Sequence, residues 1–333
     1  MDPKPAPHAL SVVVPVYRGE TTLPTLLAEL DPYTTVFTTP QGNEAVVTEV
    51  FLVHDHGPDD SARVIHELSE QYSYVRPVWL SRNFGQHPAT LAGMASSGGD
   101  WIVTLDEDGQ YDPADMAGFL DVALAQRATV VYAAPTNEAP HGALRNIASR
   151  GSKRVLDLLV GSREARQYHS FRLVLGEIGR SVAAYAGSGV YLDVALGWVA
   201  GEVATAPATL RTEDRASGYS LKRLVAHFWR MVLTSGTRGL RFVTGTGVAL
   251  ALLGVLVALG FAVRQIVTGE LPEGWTSLMV VLLVVSGLLL FFLGIVAEYV
   301  GVAVNMAMGK PLYLITSDPG VGPLSRAARR RDS

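Results

Sequence analysis

The chain has 333 residues, with 27 Lys+Arg against 31 Asp+Glu and no cysteine. A net charge of −4 argues against bulk attraction to nucleic acid, and the missing thiols exclude disulfides, Cys-ligated zinc, iron–sulfur centres and a cysteine nucleophile. Hydrophobic residues make up 48% of the chain and charged residues only 17%, against about 25% in an ordinary soluble domain, so the apolar excess sits either in a core or in membrane segments.

Met1–Leu10 has three prolines and no apolar h-region, so it does not read as a signal peptide. Apolar, β-branched runs at Leu10–Val16, Val46–Val53, Val75–Leu80, Trp101–Leu105 and Thr129–Ala134 predict strands. Thr21–Leu30, Ser61–Tyr72, His87–Ser97 and Pro113–Gln126 predict the helices between them. Asp112 followed by Pro113 suits the start of the last helix, and Asp60 or Ser61 suits the N-cap of the second. The threonine-rich stretch Pro32–Ala45 reads as a surface loop. This alternation predicts an α/β domain with a mostly parallel sheet covered on both faces, and such sheets take ligands beyond the carboxyl ends of their strands.

Further on, Arg145–Leu159 predicts a basic helix carrying Arg145, Arg150, Lys153 and Arg154. Leu221–Thr234 is amphipathic and suits either the headgroup plane of a membrane or a core-facing helix with a solvated side. Phe242–Val263 and Thr276–Ala297 are each 22 residues without a charge. As helices they would be about 33 Å long, enough to cross a hydrocarbon layer of roughly 30 Å. Lys222, Arg223, Arg230, Arg238 and Arg241 precede the first stretch, and Lys310, Arg326, Arg329, Arg330 and Arg331 come after the second. The connection from Arg264 to Trp275 carries a single Arg beside Glu270 and Glu273, so the positive-inside bias predicts both termini in the cytoplasm.

Three polar clusters fall at predicted strand ends. In Thr104–Pro113, Asp106 and Asp108 would point the same way if the strand continues, and with the Gln110 carbonyl they form an all-oxygen set suited to Mg²⁺ or Mn²⁺. An acidic turn capping the next helix would show the same spacing. His54-Asp55-His56-Gly57-Pro58-Asp59-Asp60-Ser61 offers two imidazoles at i, i+2, which suits either a metal or the rim of a nucleotide pocket. Ser81-Arg82-Asn83-Phe84-Gly85-Gln86-His87 is a polar loop between strand and helix.

In order along the chain these segments resemble family 2 glycosyltransferases of the GT-A, Rossmann-like fold. They look most like the polyisoprenyl-phosphate branch: dolichyl-phosphate mannose synthases, bacterial polyprenyl-phosphate glucosyltransferases and undecaprenyl-phosphate aminoarabinose transferases. Val13–Tyr17 matches the first-strand motif, Leu80–His87 the R-N-[FY]-G loop, and Leu105–Pro113 the D-x-D-x-Q-x-x-P run with one residue's difference before the proline. Arg145, Ala148, Ser149, Arg150 and Arg154 fall on a basic helix of the same pattern. Ser170–Leu173 is similar to a D-F-R-L segment, and Arg215–Leu221 to an R-x-S-G…Y-S-L segment about three residues longer. Glu298–Gly301 with Lys310–Tyr313 matches E-Y-x-G…R-P-x-Y.

The resemblance implies a catalytic domain over 1–220, an amphipathic juxtamembrane helix over 221–241, two transmembrane helices over 242–300 and a cytoplasmic tail over 301–333. It implies inverting transfer of a sugar from a nucleotide-diphosphate sugar to a polyprenyl phosphate at the bacterial plasma membrane, for cell-envelope glycosylation. Donor contacts fall on Pro15, Tyr17, Glu20, Asp55, Asn83, Gln86 and Asp106. The metal set is Asp106, Asp108 and Gln110, and the catalytic set is Asp106, Asp108 and Arg145. Acceptor-phosphate contacts fall on Arg145, Arg150, Arg154, Arg172, Arg215 and Ser220. Relatives commonly assemble through their membrane parts, which implies a homotetramer. A glycan-directed family 2 transferase and a non-catalytic nucleotide-sugar-binding membrane protein are the alternatives. His54-Asp55-His56-Gly57 replaces the usual D-D-G-S, Ser170 the usual Asp, and Arg18-Gly19-Glu20 the usual Asn-Glu, while Val131–Thr136 lacks an expected arginine. These departures point to an unusual donor or an impaired enzyme.

Overall fold

The computed structural model describes residues 6–136, 169–187, 190–211, 247–249, separate positions from 252 to 267, and 274–322. The predicted basic and juxtamembrane helices, with Arg145, Arg150, Arg154, Arg215 and Ser220, lie outside the described residues. The described residues fall into two compact units. The first holds everything up to Arg211 together with Pro311–Gly322, and the second holds the helical residues between 247 and Lys310.

In the first unit, β1 (His8–Val16), β3 (Glu44–His54), β4 (Val75–Leu80) and β5 (Trp101–Thr104) appear where the apolar runs predict them. So do α1 (Leu23–Leu30), α2 (Ser61–Gln71), α3 (Gln86–Ser96) and α4 (Met116–Gln126), the last after a 3₁₀ turn at Pro113–Asp115. Asp112 caps that turn by accepting the Ala114 N–H at 2.9 Å. The expected loop Pro32–Ala45 contains a further 3₁₀ turn and a short strand, β2 (Phe37–Thr38), folded back antiparallel on β3. After β6 (Val130–Pro135), the described chain resumes as β7 (Arg172–Leu175), α5 (Gly176–Tyr185), α6 (Leu192–Val199) and β8 (Val203–Ala208), and β9 (Ile315–Thr316) comes last.

The sheet runs β8-β6-β7-β5-β1-β3-β4-β9, with β2 on the side of β3. It is mixed rather than mostly parallel. β1, β3, β4 and β5 are parallel to one another where they pair, whereas β7 runs antiparallel to both β5 and β6.

Strand alternation sorts the apolar side chains onto two faces. Val12, Val14, Leu52, Val103 and Val131 meet α1, α2 and α4, while Val13, Val53, Ile102 and Tyr132 meet α3, α5 and α6. On the second face the helix lies unusually close to the sheet: a Cβ on Gly93 would stand 2.3 Å from Val13 Cγ1.

The second unit contains α7 (Trp275–Ala307), a 33-residue helix, about 50 Å long. Its stretch Val285–Asn305 has a mean hydropathy of 2.2 and is long and apolar enough to cross a membrane. Leu289, Phe291 and Leu293 are all more than 60% exposed there, the reverse of a soluble core. The helix runs ten residues past the predicted Ala297, through Glu298 and Tyr299, and Gly309 at φ +64° lies just beyond its end. In the first predicted stretch the described positions, among them Val248, Leu252, Leu256, Leu259 and Val263, are helical and exposed.

Candidate functional site

The loops at the carboxyl ends of β1, β3, β4 and β5 converge on a cavity of about 340 Å³. It is lined by Pro15, Val16, Tyr17, Asp55, Asn83, Gly85, Gln86, Asp106, Glu107 and Asp108. Of the seven predicted donor contacts, six thus come together: Pro15, Tyr17, Asp55, Asn83, Gln86 and Asp106. Glu20 does not line the cavity. Its Oε2 accepts the Asp60 N–H at 3.2 Å, which ties it to the loop after β3.

Backbone amides of these loops are held by carboxylates. Asp55, only 3% exposed, accepts the Phe84 N–H at 2.7 Å and the Gly85 N–H at 2.8 Å, fixing the loop after β4 from inside. Burial pushes the Asp55 pKa up, opposed by those two bonds and by the charges of His56 and Arg82. Gly85 sits at φ +98°, a conformation that favours glycine, and opens α3. Asp59 accepts the Glu20 N–H at 3.1 Å and the Ser61 hydroxyl at 2.7 Å, and Ser61 Oγ in turn accepts the Gly19 N–H at 2.8 Å. Ser61 therefore joins two loops, while Asp60 takes the N-cap position of α2. Gly57 leaves no room for a side chain, since a Cβ there would lie 1.7 Å from the Tyr17 carbonyl oxygen.

In the acidic run the strand stops at Thr104, so two-residue alternation does not govern residues 105–108. Asp106, Glu107 and Asp108 all reach the cavity wall. Glu107, which strand alternation would have turned away from Asp106 and Asp108, accepts the Tyr17 and Arg18 N–H groups at 2.8 Å each. Burial, reinforced by Asp59 and Asp106 and opposed by the two backbone bonds, leaves its pKa pushed up to about 7. Asp106 accepts from Gln86 Nε2 at 2.6 Å and from the Ser170 hydroxyl; burial raises its pKa against these bonds and the nearby Arg172 charge. An aspartate at 170 would instead set a second carboxylate against Asp106.

The predicted metal set comes together only in part. Asp108 accepts the Gln110 N–H at 3.1 Å, but Gln110 is not in the cavity wall, and its main-chain carbonyl accepts the Arg211 N–H at 2.8 Å. Among the described residues no group of three or more His, Asp or Glu is arranged to hold a metal ion. Two carboxylates beside an open cavity do fit Mg²⁺ or Mn²⁺, because such ions are commonly held by one or two carboxylates plus substrate phosphates rather than by a protein cage.

Arg172 corrects the sequence expectation. It is 3% exposed, paired with Asp193, and donates from Nε to Thr104 Oγ1 at 3.0 Å and to the Ser170 carbonyl at 3.3 Å. Tyr132 donates to the same Asp193 oxygen at 3.1 Å. This guanidinium braces β7 against β5 and α6 and presents no open face to a lipid phosphate.

His54 and His56 separate by exposure. His54 is 6% exposed beside Trp79, neither ring nitrogen has a hydrogen-bond partner among the described residues, and burial pushes its pKa down, helped by His56 and opposed by Asp59. His56 is exposed, at φ +54°, with Nδ1 3.0 Å from the Leu80 carbonyl. Sequence reasoning also passed over Tyr111 and His169, joined at 3.1 Å. The Tyr111 pKa is pushed up to about 12 by burial and by the Asp106 and Asp108 charges, which places this pair close to the acidic run.

The chain is similar over nearly its full length to bacterial and phage proteins. Undecaprenyl-phosphate 4-deoxy-4-formamido-L-arabinose transferase of Klebsiella pneumoniae subsp. pneumoniae is 28% identical over 93% of this chain and 94% of its own. The protein of that name from Sodalis glossinidius is 29% identical over 95% of each chain. Bactoprenol glucosyl transferase of Shigella phage SfX is 26% identical over 92% of this chain and 99% of its own. Among solved structures, glucosyl-3-phosphoglycerate synthase from Mycobacterium tuberculosis in complex with Mn²⁺, UDP and phosphoglyceric acid aligns at 17% identity with a TM-score of 0.46, covering 69% of this chain and 78% of that one. The model of glycosyl transferase family 2 matches residues 11–180, more than half of the sequence, and with the carboxyl-edge cavity described above the chain belongs to that family.

Proposed function

We propose that this family 2 glycosyltransferase moves a sugar from a nucleotide-diphosphate sugar to a polyprenyl phosphate, with inversion at the anomeric carbon. The observation that carries the reading is the carboxyl-edge cavity, whose volume suits a small-molecule ligand and whose wall combines the exposed Tyr17 ring with Asp106 and Asp108. Tyr17 offers a face for a base or sugar. Asp106 and Asp108 would hold Mg²⁺ or Mn²⁺, which when bound offsets negative charge on a departing diphosphate. Glu107 and Asp55 keep the walls in register, so that donor and acceptor meet in a fixed geometry.

In the reaction an oxygen of the acceptor phosphate forms a bond to the anomeric carbon as the bond from that carbon to the diphosphate breaks, and the nucleoside diphosphate leaves. A phosphate monoester, with a second pKa of about 6, is largely deprotonated near pH 7, so the reaction does not need a strong general base. Arg145, Arg150, Arg154, Arg215 and Ser220 are the residues proposed to meet the acceptor phosphate. The names of the relatives, which specify undecaprenyl phosphate and bactoprenol, support the lipid acceptor. In this reading α7 anchors the chain in the bacterial plasma membrane with the catalytic unit in the cytoplasm, and the membrane parts assemble as a homotetramer.

The test is incubation of membranes containing the full chain with a panel of nucleotide sugars and polyprenyl phosphate, followed by mass spectrometry of the lipid. A polyprenyl-phosphate monosaccharide is the expected product. Sugar appearing only on a glycan would overturn the acceptor, and no turnover with any donor would overturn the reaction.

A further inference from the structure

We infer that the segment after the membrane-length helix, Leu312–Asp318, is a positioning element of the donor cavity, holding the Ser81–Gly85 loop from outside while Asp55 holds it from within. This rests on the proposed reading of the cavity as a donor site. The sequence places these residues in a cytoplasmic tail, yet they are part of the sheet. β9 pairs antiparallel with the edge of β4, setting Ile315 beside Leu80 and Thr316 beside Trp79. The pairing reaches beyond β4 into the next loop: the Leu314 carbonyl accepts the Ser81 N–H at 3.0 Å.

Other contacts fasten the segment on both sides of that bond. Leu312 and Tyr313 pack on the core cluster that contains Val78 and Leu80, and Phe84 of the loop packs on the same cluster. Thr316 Oγ1 donates to the Trp79 carbonyl at 3.4 Å, and Asp318 lies 3.1 Å from His66 Nε2, whose ring stacks on Trp79. The loop is therefore fixed at its first residue by Leu314 and at Phe84 and Gly85 by Asp55. Asn83 and Gly85, between and beside these ties, line the cavity. A strand that merely covered the sheet edge would need only the two paired residues of β4. The tie to Ser81 and the shared packing with Phe84 give the segment a hold on the cavity wall itself.

The test uses the full chain with Thr316→Pro, which removes the N–H and hydroxyl of the second of the two residues of β9. Hydrogen exchange read at Ser81, Phe84 and Gly85 should rise about tenfold or more if the loop loses its outer tie. The donor KM should rise about tenfold, with kcat changing by less than about threefold, because a loosened wall weakens donor binding before it alters the chemistry. If Thr316→Pro fails to fold, the double variant Leu312→Ala/Tyr313→Ala loosens the same segment and should move both readouts in the same direction. Faster exchange at Ser81 alone, with Phe84, Gly85 and KM unchanged, would overturn the inference and leave β9 as an edge cover. Exchange needs no substrate, so it reports on the tie even if the wild-type chain transfers no sugar and the functional reading fails.

Discussion

The two halves of the sheet use carboxylates in opposite ways. At the ends of β1, β3, β4 and β5, Asp55, Asp59 and Glu107 accept backbone N–H groups from neighbouring loops and so shape a cavity wall. In the half formed by β6, β7 and β8, the buried Asp193 meets two side chains, Arg172 and Tyr132. The first arrangement fixes the path of loops that would otherwise be held only by their own turns. The second locks side chains in a dry interior, where a lone charge would be costly. Damage to the first half should therefore appear mainly in substrate handling, and damage to the second mainly in stability.

The largest expected effect is on the reaction. Asp108→Asn should lower divalent-dependent transfer about 10³-fold, roughly 4 kcal/mol of barrier, while the thermal midpoint stays near that of the wild type. Wild-type turnover in this variant would remove Asp108 from the metal site. In the other half, Asp193→Asn leaves the Arg172 guanidinium buried without its counter-charge and should cost about 3–5 kcal/mol in denaturant unfolding. The double variant Arg172→Met/Asp193→Leu should recover most of that loss. If it does not, the pair contributes more than mutual neutralisation.

A smaller effect belongs to Asp55→Asn, because an amide can accept only one of the Phe84 and Gly85 N–H groups. It should cost about 1–3 kcal/mol and raise the donor KM more than it lowers kcat, measured by unfolding and by steady-state kinetics. Gly57→Ala pushes a methyl group into the Tyr17 carbonyl, and about 1–3 kcal/mol of destabilisation is expected.

The mildest test is of pH dependence. His54 has its pKa lowered in the fold from an ordinary value of 6.5, mainly by burial, so the unfolded chain binds the proton more readily. Its contribution is fully present above pH 6.5 and declines as the pH falls below that value. His54→Phe should flatten this part of the stability profile, and an unchanged slope would show that other groups set it.

The parallel half of the fold is legible in sequence because each strand is a mainly apolar, β-branched run followed by a polar cluster. The β7–α5–α6–β8 half is not. β7 has only four residues and begins with a charged one, and nothing local in Arg172 or Asp193, 21 positions apart, reveals that they neutralise each other. Within the site, the acids and the Arg82–Gln86 loop stand out by composition, whereas the role of Glu107 depends on the chain turning directly after Thr104. β9 is two residues long, and its partner strand lies more than 230 positions earlier, beyond any local pattern.

The reversed direction of β7 has a consequence for the acidic run after β5. Because β7 runs antiparallel to both β5 and β6, its first residue and the ends of β5 and β6 share one edge of the sheet. His169 meets Tyr111 at that edge, and after β8 the Arg211 N–H meets the Gln110 carbonyl. The acidic run is thus held at Gln110 and Tyr111 by residues 101 and 58 positions further along the chain, so this part of the cavity's surroundings depends on strands remote from it in sequence.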